Sequence, residues 1–268
     1  MWAALQFEFM RNAVISGVII GILCGIIGTL VVVNRLVFMT GGVAHSAYGG
    51  VGLGIYLGFS PFCGATIFSI INSIIMGIFT IKDKSRADTV IGVLWAIGMA
   101  LGIIFVDLSH GYNADLMSYL FGSIIGVSKK EIYISAIFTL FTIFWISFFY
   151  KEILAISYDE EFAYIMGVPV TFLYFSILIL TAISVIIAMR MVGLILVIAL
   201  MSIPPYIAEI FTCSLAQMMI FSSLLSIFFT ISGLWVSYKF DISAGACIIL
   251  VSGLGFIVSY MLRLLAKK

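Results

Sequence analysis

Charge is what this sequence has least of. Asp, Glu, Lys and Arg make up only 9% of its 268 residues, against about 25% in an ordinary soluble domain. Hydrophobic residues make up 63%, which excludes a soluble globular chain. The 13 basic and 12 acidic side chains nearly cancel, so no positive field exists for phosphates and nucleic acid is not an expected partner. The four cysteines, Cys24, Cys63, Cys213 and Cys247, stand singly in apolar or glycine-rich stretches. None has the close spacing of a zinc or redox motif, so they read as small buried hydrophobes. No Walker A loop is present, since the glycines at 122 and 126 have the wrong spacing and no Lys-Ser/Thr follows. No HExxH motif or Ser-His-Asp order is present either, which argues against an enzyme.

Long apolar runs fill the rest. Eight or nine spans of about 20 residues would take roughly 160–180 positions, and nine candidates can be drawn, near 13–33, 42–58, 62–81, 89–107, 131–149, 170–188, 191–211, 215–237 and 242–262. Period-two alternation is absent, and a bilayer leaves exposed backbone groups without water, so the expected fold is an all-α polytopic membrane protein. Residues 1–268 read as a single transmembrane domain. The first run is too long for a secretory signal and lacks an Ala-x-Ala site, so it reads as a retained helix. The second is the weakest, because seven glycines between Gly41 and Gly58 make it a poor helix former and a candidate re-entrant segment. With nine crossings and an outside N-terminus, Arg35, Lys82, Lys84, Arg86, Lys151, Arg263, Lys267 and Lys268 face the cytoplasm. Arg11, Lys129, Lys130, Arg190 and Lys239 then face out, the sign that the positive-inside tendency favours.

Glycine spacing carries packing information. Gly17, Gly21 and Gly25 recur every four residues and make a smooth stripe on which another helix backbone can lie closely.

Few polar groups interrupt the apolar background. The segment 38–54, FMTGGVAHSAYGGVGLG, places His45 and Ser46 among small residues. Buried imidazole needs partners, so His45 is either a packing residue bonded to a neighbour or a transient ligand for a transition metal. The segment 201–209, MSIPPYIAE, contains adjacent prolines, Pro204 and Pro205. Two missing amide donors predict a kinked or broken seventh span, and broken helices line transport paths. Glu209 follows within about one turn, either at depth and functional or solvated at the interface. Asp107, His110 and Asp115 flank the outer end of the fourth span, where they receive a cation or simply meet water.

Residues 150–169, YKEILAISYDEEFAYIMGVP, form the one substantial cytoplasmic loop. Its middle predicts a short helix from Asp159 to Met166, with Glu160 and Glu161 in the first turn and Gly167 followed by Pro169 as a stop. Phe162, Ala163 and Met166 make an apolar face that packs on the membrane domain or docks a soluble partner.

Five ordered blocks carry a family resemblance. They are 38–54 with its histidine, 88–102 (DTVIGVLWAIGMALG), 115–128 (DLMSYLFGSIIGVS), the acidic loop 158–169, and the valine-glycine to proline block 192–208. Together they resemble the membrane permeases of bacterial and archaeal ABC importers for zinc, manganese or iron. The resemblance implies a type II importer permease fold with eight or nine helices. It also implies a homodimer enclosing one translocation path, two cytoplasmic ATPase subunits, and an extracytoplasmic metal-binding protein. On that reading the chain lies in the cell (inner) membrane with its C-terminus in the cytoplasm, and ATP is bound only by the partner. No cofactor is held stably, because the divalent metal is cargo.

Transposed to this chain, the path is lined by His45, Ser46, Pro204, Pro205 and Glu209. The ATPase-coupling element is Asp159, Glu160, Glu161, Phe162, Ala163, Met166 and Gly167. Two departures stand out. Many members carry an aspartate four residues before the histidine, where this chain has Gly41, and many carry an arginine after the proline block, where it has Glu209. Metal ligation then falls to His45 and, if its charge replaces the missing acid, to Glu209. The implied metal order is zinc, then manganese, then iron. The alternative cargo is a metal chelate such as a siderophore or cobalamin. Further alternatives are a carrier driven by an ion gradient and a purely structural membrane subunit.

Overall fold

The structure is a computed structural model that describes residues 6–81, 86–109 and 124–266. Expectations placed on Lys82, Lys84, His110, Asp115, Lys267, Lys268 and most of the 115–128 block lie outside the described residues. Within them every regular element is helical: α1 (Glu8–Val33), α2 (Val37–Leu57), α3 (Pro61–Thr80), α4 (Ala87–Leu108), a 3₁₀ turn (Ile124–Gly126), α5 (Lys129–Phe148), α6 (Tyr150–Tyr158), α7 (Glu160–Ile165), α8 (Val170–Val192), α9 (Leu194–Phe211), α10 (Leu215–Phe240) and α11 (Ala244–Ala266). Eight of these, all but α2, α6 and α7, are long and apolar enough to cross a membrane.

Local chemistry sets the helix ends. Ser128 and Glu131 form a reciprocal capping box at α5, and the Ser214 side chain accepts from the Gln217 amide at α10. Pro61 opens α3, where its missing amide hydrogen costs nothing. Buried hydroxyls turn back on their own helices, as Thr29 Oγ1 does to the Gly25 carbonyl at 2.7 Å and Ser184 Oγ to the Leu180 carbonyl at 2.6 Å. These two hydroxyls are thereby satisfied without water.

The chain divides into two compact units. The first contains the described residues of Met1–Arg35, Leu120–Leu154 and Ala188–Lys268, with α1 packed against α5, α9 and α10. The predicted glycine stripe is the contact with α10: a Cβ at Gly21 would lie 2.9 Å from Ile227 Cγ1, and one at Gly25 would lie 2.5 Å from the Ser223 backbone nitrogen. At one end of this unit Lys129 pairs with Glu8 at 2.6 Å, and Arg190 pairs with Glu131 at 2.5 Å.

The second unit contains the described residues of Leu36–Tyr119 and Ala155–Ile187. Here α2 packs against both α3 and α4. A Cβ at Gly98 would come within 2.6 Å of Ser46 Cα, and one at Gly102 would come within 2.6 Å of the Tyr48 carbonyl oxygen. The Thr80 and Tyr174 hydroxyls share a 2.7 Å hydrogen bond that ties α3 to α8.

The structure bears on three of these expectations. The glycine-rich second span forms a full helix of 21 residues, about 31 Å long at 1.5 Å per residue. Its glycines lose intrinsic helix propensity but let two neighbouring backbones approach, and packing outweighs propensity. The seventh span does not break at its prolines, since α9 runs from Leu194 to Phe211 through Pro204 and Pro205. The interruption falls at Gly193, whose φ of 89° separates α8 from α9. Of the cysteines, Cys24 and Cys247 are buried as expected, whereas Cys63 and Cys213 are exposed.

Candidate functional site

The α2 helix presents Gly41, His45 and Gly49 at successive four-residue steps, and therefore on one face. Gly41 is buried and supplies no side chain where an acid could have stood. The half-buried His45 ring stacks on the Trp95 indole of α4, with centroids 4.0 Å apart and planes inclined by 14°. Its Nδ1 is buried and has no hydrogen-bond partner among the described residues. Trp95 in turn donates from Nε1 to the Met99 sulfur, 3.0 Å away and one turn along α4. Ser46 is buried, with its Oγ donating to the Val43 carbonyl at 3.2 Å.

No group of three or more His, Cys, Asp or Glu that could hold a metal occurs among the described residues. A lone imidazole can take a divalent ion in passing but cannot enclose one, since stable sites need about four ligands or more.

In α9, Pro204 and Pro205 are buried. Neither can donate an amide hydrogen, so the Leu200 and Met201 carbonyls lose their partners in the α-helical ladder. The Met201 carbonyl points at α1, where a Cβ on Gly28 would lie 2.6 Å from it. That glycine allows a buried, polar carbonyl to approach another helix backbone. Glu209 is exposed on the last turn of α9. His45 and Ser46 belong to the second unit, and Pro204, Pro205 and Glu209 to the first.

The 150–169 segment folds as two short helices. The Asp159 carboxylate caps α7 by accepting from the Phe162 amide at 3.0 Å, and Glu160 and Glu161 occupy the first turn, where the helix dipole favours acids. The stop is Gly167 at φ 80°, a left-handed conformation that side chains resist. Ala163 is fully buried, but Phe162, Ile165 and Met166 are 57%, 79% and 67% exposed. The expected apolar face is therefore divided: Ala163 anchors the element, and the larger side chains point outward.

Sequence reasoning passed over Trp95 and Met99, although both lie within the 88–102 block. Their four-residue spacing on a helix with Gly92, Gly98 and Gly102 was the available signal. It could not show which helix they would meet.

The ABC 3 transport family model matches residues 6–263. The chain is 45% identical to an uncharacterised membrane protein of Synechocystis sp., over 98% of this chain and 94% of that one. It is 32% identical to the manganese import system permease protein ScaB of Streptococcus gordonii, over 96% and 92% of the two chains. Among solved structures it resembles PsaBC from Streptococcus pneumoniae, determined in complex with Fab, with a TM-score of 0.85, 31% identity, and coverage of 96% of this chain and 93% of that one. The apolar helices, the ordered motifs and these matches along nearly the full length have one common account: the chain belongs to the ABC 3 transport family.

Proposed function

We propose that this chain is the membrane permease of an ATP-driven importer for divalent metal ions. The observation that carries the reading is the family match over residues 6–263, together with a manganese permease among relatives that align over nearly the whole chain. Manganese accordingly stands ahead of zinc and iron as the proposed cargo. Nothing among these relatives supports the zinc-first order implied by the motif resemblance, and none of them favours a siderophore or cobalamin.

In this reading two copies form one path, and an external binding protein delivers the ion. His45 acts as a transient ligand, with the Ser46 hydroxyl beside it as an oxygen donor. Oxygen donors suit manganese better than zinc. The chain has no phosphate-binding loop, so the energy comes from two cytoplasmic ATPase subunits docked on α7. Counting α2 as a ninth crossing puts the termini on opposite sides, and the positive-inside bias then favours an outside N-terminus and a cytoplasmic C-terminus.

The test is metal uptake by proteoliposomes containing the permease, its ATPase and its binding protein, challenged in parallel with manganese, zinc, iron and a ferric chelate. ATP-dependent manganese accumulation is expected. Accumulation of the chelate alone, or uptake without the ATPase, would overturn the proposal.

A further inference from the structure

A histidine that ligates a metal almost always donates its second ring nitrogen to a carboxylate, carbonyl or water, which fixes the ring plane and strengthens the ligand. His45 has no such support among the described residues: its Nδ1 is buried without a partner, and position 41, one turn away on the same face, is glycine. What fixes the ring is Trp95, stacked at 4.0 Å and 14°. The indole is pinned in its turn, because Nε1 donates to Met99 Sδ at 3.0 Å. The α2 and α4 backbones that carry these rings are held close by glycine contacts at Gly42, Gly98 and Gly102, so the stack has little freedom to slip.

We propose that Trp95 is a positioning residue for the cation path: the stacked indole, pinned by Met99, aims His45 Nε2 at the passing ion in place of a carboxylate. The proposal rests on reading His45 as a transient ligand and adds how that ligand is oriented. Stacking and hydrogen bonding differ in effect. A carboxylate partner orients the ring and also raises its basicity, tightening the hold on the metal. An indole face orients the ring and adds no negative charge. The ligand is aimed but weak, which suits an ion that must leave as readily as it enters.

The experiment measures uptake of manganese and zinc ions by the complete importer in proteoliposomes, comparing Trp95→Leu, Trp95→Phe, Met99→Leu, His45→Ala and the Trp95→Leu/His45→Ala double variant. Co-purification with the ATPase serves as the assembly control. Removing an orienting partner typically costs about 10-fold or more, so Trp95→Leu is expected to lower the maximal manganese uptake rate and the ions moved per ATP by about that factor. KM, set by the binding protein, should not move. Trp95→Phe, which keeps a stacking ring, should stay within about threefold of the parent.

The double variant should be no slower than His45→Ala alone, because an aimed ligand that is absent cannot be misaimed. Additive losses would assign Trp95 to helix packing and overturn the proposal. Normal uptake by His45→Ala would overturn the ligand reading itself. A deficient His45→Ala beside a normal Trp95→Leu would overturn the positioning role alone. If Trp95→Leu does not assemble, Met99→Leu decides: a loss of about threefold supports the pinned stack, and parental uptake refutes it.

Discussion

At the scale of single residues, the scarcity of charge makes each polar side chain decisive, and the burial of those side chains separates structural from functional roles. His45 and Glu209 are the two side chains that the sequence offers as metal ligands, and the structure sets them apart. The imidazole is half-buried against an indole, whereas the carboxylate is exposed on the last turn of α9. An acid near a helix C-terminus opposes the helix dipole and costs about 0.3–1 kcal/mol when exposed. Glu209→Gln is therefore expected to leave the melting temperature unchanged or slightly raised and to keep manganese uptake within about twofold of the parent. A tenfold loss of uptake with normal assembly would instead place Glu209 in the path. Asp159 offers a cleaner effect. Its carboxylate is the N-cap of α7, and Asp159→Ala should weaken that short helix by about 1 kcal/mol, read as faster amide exchange at residues 160–165.

At the scale of elements, glycine decides which helices can touch. A Cβ at Gly25 would meet the Ser223 backbone, which cannot swing aside as a flexible side chain could. Gly25→Ala should therefore destabilise the α1–α10 contact by about 1–3 kcal/mol despite the better helix propensity of alanine. Gly253 in α11 has nothing within 4 Å of its added Cβ, and Gly253→Ala should gain about 0.5–1 kcal/mol. Thermal unfolding in detergent reads both variants, and equal shifts of one sign would contradict the assignment of the stripe as a packing surface. The same logic explains why α2 was doubtful from its composition. Seven glycines lower propensity residue by residue, and that sum contains no information about the two helices that fill the space those glycines leave.

At the scale of the molecule, the chain belongs to a transport family, and on the proposed reading its ATPase partner docks on a small exposed element. The large apolar side chains of α7 face away from the unit that buries Ala163, and on the proposed reading they are the surface that the ATPase covers. Replacing Phe162 and Met166 together by serine is expected to reduce ATPase co-purification at least tenfold while the permease still purifies as a folded, helical protein. Intact co-purification with normal metal-stimulated ATP turnover would reject the docking role. The purified permease alone should show no ATP hydrolysis.

Hydropathy along the chain sufficed for the helical class, the number of spans within one, the Asp159-capped helix and the Gly167 stop, because each depends on short-range chemistry between residues close in sequence. The same local reading misplaced the break at Pro204 and Pro205. Losing two ladder bonds need not end a helix when neighbouring backbone packs against it, and Gly28 of α1 does so here. Nor could local pattern pair His45 with Trp95, fifty positions away, or show Nδ1 buried without a partner. Those facts exist only once α2 and α4 lie backbone to backbone. Sequence by itself determined that this protein spans a membrane and which residues could serve a cation. Tertiary packing decided how the half-buried His45 imidazole is held, because stacking and burial are properties of two helices in contact and of neither alone.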